Sequence, residues 1–227
     1  MGLVSRILEK KGKNAAGRIK AAFSGRSEQE PEYPLGLHTN AVLRFDPTDF
    51  ILSAQNFKVD FPEGDISVKA IGEFTCLGVT FYRFYVEDLQ EDQWVLQVGG
   101  TEKELEVVLF QTLDEVYPDD WDFWLNERTG LIGYKDFHTP DRMEYYRVFQ
   151  NPGPDYVKPV KFRESVRSDG RELFITHAMM LYSRGISTAA AGEMTEYLLV
   201  SKEEDEEGVM VHIMAGIPVG PASLTVL

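Results

Sequence analysis

The sequence predicts a mainly β fold, a β-rich α+β protein whose antiparallel sheets pack as a sandwich or a partly open barrel. A basic N-terminal helix or arm precedes it. Three observations predict this. Aromatic residues are plentiful, with 14 Phe, 10 Tyr and 3 Trp, and flat or β-branched side chains pack well on a pleated surface. Short alternating apolar segments recur from Leu35 onward, where a helical period of 3.6 would space them differently. Asp169-Gly170 sits between two such segments, and Asp-Gly supplies the positive φ that a tight hairpin turn needs.

The first 26 residues carry seven basic side chains against one acid, a balance of +6. The other 201 residues carry 16 basic and 36 acidic, a balance of −20, which together give the net −14. A basic segment on an acidic body points to a tail that binds something anionic. The acidic body argues against nucleic acid as partner, because phosphate contacts need Lys and Arg.

On a helical projection of residues 3–23, Val4, Ile7, Leu8, Ala15, Ile19, Ala22 and Phe23 share one broad face. Arg6, Lys10, Lys13 and Lys20 lie opposite, while Lys11 and Arg18 flank the apolar side on stems long enough to snorkel. Leu3, Ile7, Leu8, Ile19 and Phe23 are therefore the candidate insertion residues. Lys10, Lys11, Lys13, Arg18 and Lys20 are the candidate contacts to an anionic membrane surface or a partner helix. Ser24-Gly25 ends the segment and residues 27–34 (SEQEPEYP) read as a linker. The expected organisation is an arm and linker over 1–31 and an acidic body over 32–227. That body divides into two subdomains near residue 150 if its halves fold apart.

Strands are expected over Asn40–Phe45, Asn56–Phe61 and Asp65–Ile71. A long run over Phe74–Val86, bent at Gly78, and Gln93–Val98 should pair as a hairpin across an acidic turn. Glu104–Gln111 follows as a strand. Asp119–Asn126 reads as a short helix whose aspartates cap free N–H groups. Gly130–Phe137 and Met143–Phe149 read as strands. Val160–Arg167 and Arg171–Tyr182 flank the Asp-Gly turn, and Thr195–Val200 and Val209–Met214 flank an acidic tip at Glu203–Glu207. Gly72-Glu73-Phe74-Thr75 and Gly192-Glu193-Met194-Thr195 look alike, an echo that amphipathic hairpins produce by chance.

Trp121 and Trp124 are candidates for a ligand groove, since flat rings stack on apolar ligand faces. Packing of Trp121, Trp124 and Leu125 into the core from one helical face is the stronger expectation. Asp119, Asp120 and Asp122 do not follow the calcium-loop pattern of alternating ligands, Gly and closing Glu. His38, His138, His177 and His212 show no zinc spacing with one another or with Cys76. The expectation is no metal, no cofactor and no enzyme: the G-x-S-x-G, P-loop, G-x-G-x-x-G and HExxH patterns are missing. An enzyme would need a cleft where a His meets carboxylates from distant strands.

The single cysteine forms no intrachain disulfide and fits a reducing compartment. Charges interrupt the apolar start, so no secretory signal is expected. Arg6 stands where a myristoylation motif needs Ser or Thr. A cytoplasmic protein, peripheral on the inner membrane through its arm, is the expected location.

The stretch Trp121–Phe137 (WDFWLNERTGLIGYKDF), the Asp169-Gly170 turn and the short basic N-terminus resemble the YjfK-like family of uncharacterised bacterial proteins. The resemblance implies an association with membrane-stress proteins of the phage-shock-protein-A type, and so a coiled-coil partner at the inner face of the cell membrane. It implies no catalytic residue.

Overall fold

The computed structural model describes residues 32–48, 56–101, 104–168, 170–188 and 192–227. The arm residues, from Leu3 to Phe23, lie outside the described residues, as does Asp169. Twelve strands are described: β1 Val42–Phe45, β2 Asp65–Cys76, β3 Val79–Glu87, β4 Gln93–Thr101, β5 Glu104–Val116, β6 Asp136–His138, β7 Glu144–Arg147, β8 Val160–Ser168, β9 Arg171–Thr188, β10 Gly192–Glu204, β11 Val209–Pro218 and β12 Leu224–Val226. Among the described residues the α-helix α1 spans Trp121–Leu125.

All twelve strands join one antiparallel sheet rather than two separate ones. Eight close a ring in the order β2-β3-β4-β5-β11-β10-β9-β8, and β8 pairs back onto β2. The closing seam is short, with Ile71, Gly72 and Glu73 opposite Arg167, Val166 and Ser165. β1 and β12 extend the sheet beyond one end of β2, and β7 and β6 extend it beyond β9.

Alternation divides each strand between ring interior and outer face. Phe74, Tyr85, Val95, Phe110, Phe162, Ile175, Leu199 and Met214 meet in the interior. Two further clusters cover the outside. One packs Leu37, Leu43, Phe45 and Val59 onto Val68, Phe84, Leu96 and Leu109. The other packs Trp124, Ile132, Phe137 and Tyr145 onto Met180, Tyr182, Leu198 and Val200. In β2 the register shifts between Val68 and Ala70. This bulge at Lys69 reverses the parity, so Val68 faces outward and Ala70 inward.

Several expectations need correction. The run Phe74–Val86 is not one bent strand. Leu77 and Gly78 both have positive φ, 51° and 82°, and make the two-residue turn that joins β2 to β3. Asn56–Phe61 is not a strand: side chains take its backbone groups. Trp94 Nε1 donates to Asp60 O at 2.9 Å, and Asp60 N donates to Gln111 Oε1 at 2.7 Å. Gly130–Phe137 contributes only β6, because Leu131 N and Ile132 N donate back to the α1 carbonyls of Phe123 and Trp124. The Gly72 and Gly192 segments, read as similar by chance, take different places: Gly72 lies mid-strand in β2, while Gly192 opens β10.

The Asp-Gly hairpin is present, with Ser168 opposite Arg171 and Gly170 at φ 74°. The α1 cap is also as expected: Asp120 Oδ1 accepts from Asp122 N and Phe123 N at 2.9 and 3.3 Å.

Two polar pins hold the outer layers. Buried Glu196 accepts hydrogen bonds from Lys58 N, Tyr145 OH and Arg184, joining both coverings to β9 and β10. Its negative charge, added to burial, pushes the Tyr145 phenol well above its ordinary value. Buried Arg147 donates to five backbone carbonyls, those of Phe149, Gly133, Asp155, Gln150 and Pro154, at 2.7–3.3 Å. A guanidinium has five N–H groups, so every donor is used.

Arg147→Ala should therefore lower unfolding free energy by roughly 3 kcal/mol, because buried carbonyls lose charged donors. Arg147→Lys should recover little, since an ammonium has only three donors. Urea denaturation of the full chain measures both.

Candidate functional site

The ring interior brings together the constellation that no local spacing announced. Alternation turns Arg83 and Tyr85 of β3, Gln97 of β4, Glu164 of β8, His177 of β9, Ser201 and Glu203 of β10 and His212 of β11 inward, and the exposed Thr112 of β5 meets His212. Arg83 Nη1 donates to Glu164 Oε2 at 2.9 Å, and Arg83 Nε donates to Gln97 Oε1 at 3.0 Å. Tyr85 OH donates to Glu164 Oε1 at 2.8 Å. His177 Nε2 lies 2.9 Å from Glu164 Oε2. Its Nδ1 lies 3.1 Å from Ser201 Oγ and 3.6 Å from Glu203 Oε1. His212 places Nδ1 3.3 Å from Glu203 Oε1 and Nε2 2.8 Å from Thr112 Oγ1.

β2 contributes space. A Cβ on Gly72 would lie 1.8 Å from Glu164 Oε1 and 2.8 Å from its Cδ. Glu164 cannot swing away without leaving Arg83, Tyr85 and His177. All eight ring strands thus share the site.

Rings complete the surroundings. Phe162 stacks between Phe74 and His177, with centroids 4.2 and 4.7 Å away. The Arg83 guanidinium lies 4.7 Å from the Phe74 centroid, within cation–π range.

The electrostatics follow from burial opposed by neighbours. Burial alone would raise the Glu203 carboxyl, but His212, His177 and Arg83 outweigh it and hold it at about 2. Burial is likewise opposed at Glu164, where Arg83, His177 and Tyr85 hold the carboxyl below its ordinary value. Burial and the Glu164 charge push the Tyr85 phenol far up. The Ser201 hydroxyl donates to Lys202 O at 3.2 Å, so its oxygen is left to accept from His177 Nδ1. His177 Nε2 faces the Glu164 carboxylate without the geometry of a hydrogen bond.

Glu164 and His177 are fully buried, and Glu203 and His212 nearly so. The histidines and carboxylates meet, but inside the core rather than in a cleft. Chemically the arrangement stores compensated charge and fixes register. His177 is a hydrogen-bonded core histidine, and its carboxylate neighbours come from strands distant in sequence. Polar residues on otherwise apolar strand faces, such as Glu164 between Phe162 and Val166, were the available signal.

The other candidates lie elsewhere. Trp124 is buried in the outer core cluster, with Leu125 and half-buried Trp121 packed against it. The Lys202 ammonium lies 5.7 Å from the Trp121 ring centroid. The supposed acidic tip is not wholly solvated: Glu203 faces inward, Lys202 pairs with Glu204, and Asp205 Oδ1 caps the turn through Glu207 N and Gly208 N. Cys76 is buried, which raises its thiol.

The antiparallel ring with a filled interior defines the class: a mainly β domain with a charged core constellation. The chain belongs to the family described as a protein of unknown function, DUF2491, whose profile matches residues 11–225. No curated protein and no solved structure matches it. Among the described residues no helix is long and apolar enough to cross a membrane.

Glu164→Gln should cost about 3–5 kcal/mol, the penalty for leaving a buried cation uncompensated. Gly72→Ala should destabilise in the same direction by displacing the same carboxylate. Glu203, with its value depressed, stabilises the fold fully above the ordinary glutamate value of 4.5. That contribution is lost as pH falls toward about 2. Glu203→Gln should remove this part of the acid dependence, read from urea midpoints across that window.

Proposed function

We propose that the protein is a non-enzymatic adaptor, recruited by its basic segment over residues 3–23 to an anionic membrane surface. The single observation carrying this is the charge split between residues 1–26, at +6, and the remaining chain, at −20. A body of that charge is repelled by anionic headgroups, so the basic segment is the part suited to touch them. Each Lys or Arg near such a surface contributes about 1 kcal/mol.

Two structural features support the reading. The histidines and carboxylates of the constellation, His177, His212, Glu164 and Glu203, are buried, which suits a structural role. Tyr33 packs edge-on against Tyr82 and Phe84, at 5.7 and 6.2 Å between centroids, so the body anchors the chain at the end of the linker. The body is then the cargo, held in the cytoplasm at the inner membrane. The resemblance described above adds a coiled-coil membrane-stress protein as the competing destination.

Co-sedimentation of the full chain with anionic vesicles should show binding that weakens with salt, and neutral vesicles should show none. Replacing Lys10, Lys11, Lys13, Arg18 and Lys20 by Gln should lower binding at least about a hundredfold without changing the unfolding midpoint. Failure to bind anionic vesicles at low salt would sink the membrane reading and leave a docking helix for a protein partner.

A further inference from the structure

We propose that the outer face of the β6–β7 hairpin is a binding site for one divalent transition-metal ion, formed by Asp136, His138 and Glu144. Strand alternation creates it. Phe137, Tyr145 and Arg147 point inward and are buried, so Asp136, His138, Glu144 and Tyr146 are turned outward together. The register sets His138 opposite Glu144 and Asp136 opposite Tyr146. Sequence spacing alone shows only Asp-x-His; the hairpin supplies the third ligand.

One ligand atom from each of the three residues lies within 4.8 Å of the other two. His138 Nε2 is 2.9 Å from Asp136 Oδ2 and 3.7 Å from Glu144 Oε1. That is two carboxylates converging on one ring nitrogen. A nitrogen carries at most one hydrogen and can serve one of them; a cation between the three serves all. Ligands about 2.0–2.2 Å from a common ion stand about 3.0–3.5 Å apart in octahedral or tetrahedral geometry, and the two separations from His138 Nε2, 2.9 and 3.7 Å, lie close to that range.

Two further features favour a cation. Among the described residues no Lys or Arg reaches ion-pair distance of Asp136 or Glu144; the ion pairs of both run to His138. Tyr146 OH donates to Glu144 Oε2 at 2.7 Å, which leaves Oε1 directed at His138. That hydrogen bond, with the Glu144 and Asp136 charges, raises the Tyr146 phenol. Outer partners that orient a metal-binding carboxylate in this way are a common part of metal sites.

One imidazole and two carboxylates suit Zn²⁺ or Mn²⁺. They do not suit Ca²⁺, which takes six to eight oxygens. Three protein ligands also leave positions for water or for a ligand from another molecule. His138 and Glu144 are exposed, so an ion has direct access. The site does not depend on the adaptor reading.

The test is isothermal titration of Zn²⁺ into the tag-free full chain in a non-chelating buffer, with Co²⁺ absorption as a second readout. One ion per chain at micromolar affinity is expected, with a ligand-field band for Co²⁺. His138→Ala and Asp136→Asn should each weaken binding by at least the tenfold typical of losing even an outer-shell partner. The Co²⁺ band should vanish in His138→Ala, and His38→Ala should leave both readouts alone. The substituted residues lie on the outer hairpin face, so unfolding midpoints should hold and isolate the metal effect. Absence of saturable Zn²⁺ and Co²⁺ binding, or binding that survives both ligand substitutions, would overturn the proposal.

Discussion

The ion pair between Arg83 and Glu164, extended by His177, is the constraint on which the ring depends. β8 is the strand that closes the ring. It pairs along its length with β9 but meets β2 at only three positions. Glu164 sits beside that short seam and binds Arg83 and Tyr85 on the next strand over. A one-residue slip of β8 would turn Glu164 outward and leave Arg83 buried without its partner. A buried ion pair is weak evidence for net stability, because desolvation offsets much of the attraction. Here its value is in register: one pairing of β8 satisfies the charges and its neighbours do not.

The outer layers follow from the same closure. A ring with a filled interior still exposes apolar outer faces, and each is covered by a segment largely without strands. Glu196 ties Lys58 of one covering and Tyr145 of the other to Arg184 on β9. Arg147 folds the stretch from Phe149 to Asp155 around its five donors. The remaining open edges fall to β12 and β6, three residues each, and such short strands offer little template for unwanted pairing.

Much of the strand content was legible in the sequence because half-buried antiparallel strands alternate. β4, β5, β8 and the cores of β9, β10 and β11 were read in place, as was the helix start at Asp120. What failed had local causes. Leu77 takes a positive φ that a β-propensity reading assigns to no leucine, so β2 and β3 were fused. Asn56–Phe61 looks like a strand by composition, yet Trp94 and Gln111 claim its backbone. The Lys69 bulge reverses parity where a pattern reading assumes continuity. The interior constellation was not legible because its members come from seven strands and meet only after ring closure. The charge asymmetry of the first 26 residues was legible at once, being a property of composition rather than of geometry.

Compensated charge inside the ring makes the β2–β8 seam part of the cooperative core. Native-state hydrogen exchange of the full chain addresses it at the amides of residues 71–73 and 165–167. The protected amides there should exchange only through global unfolding, with the same opening free energy as those of β9 and β10. Exchange at the seam through a separate, much lower-energy opening, with β9 and β10 still protected, would contradict it.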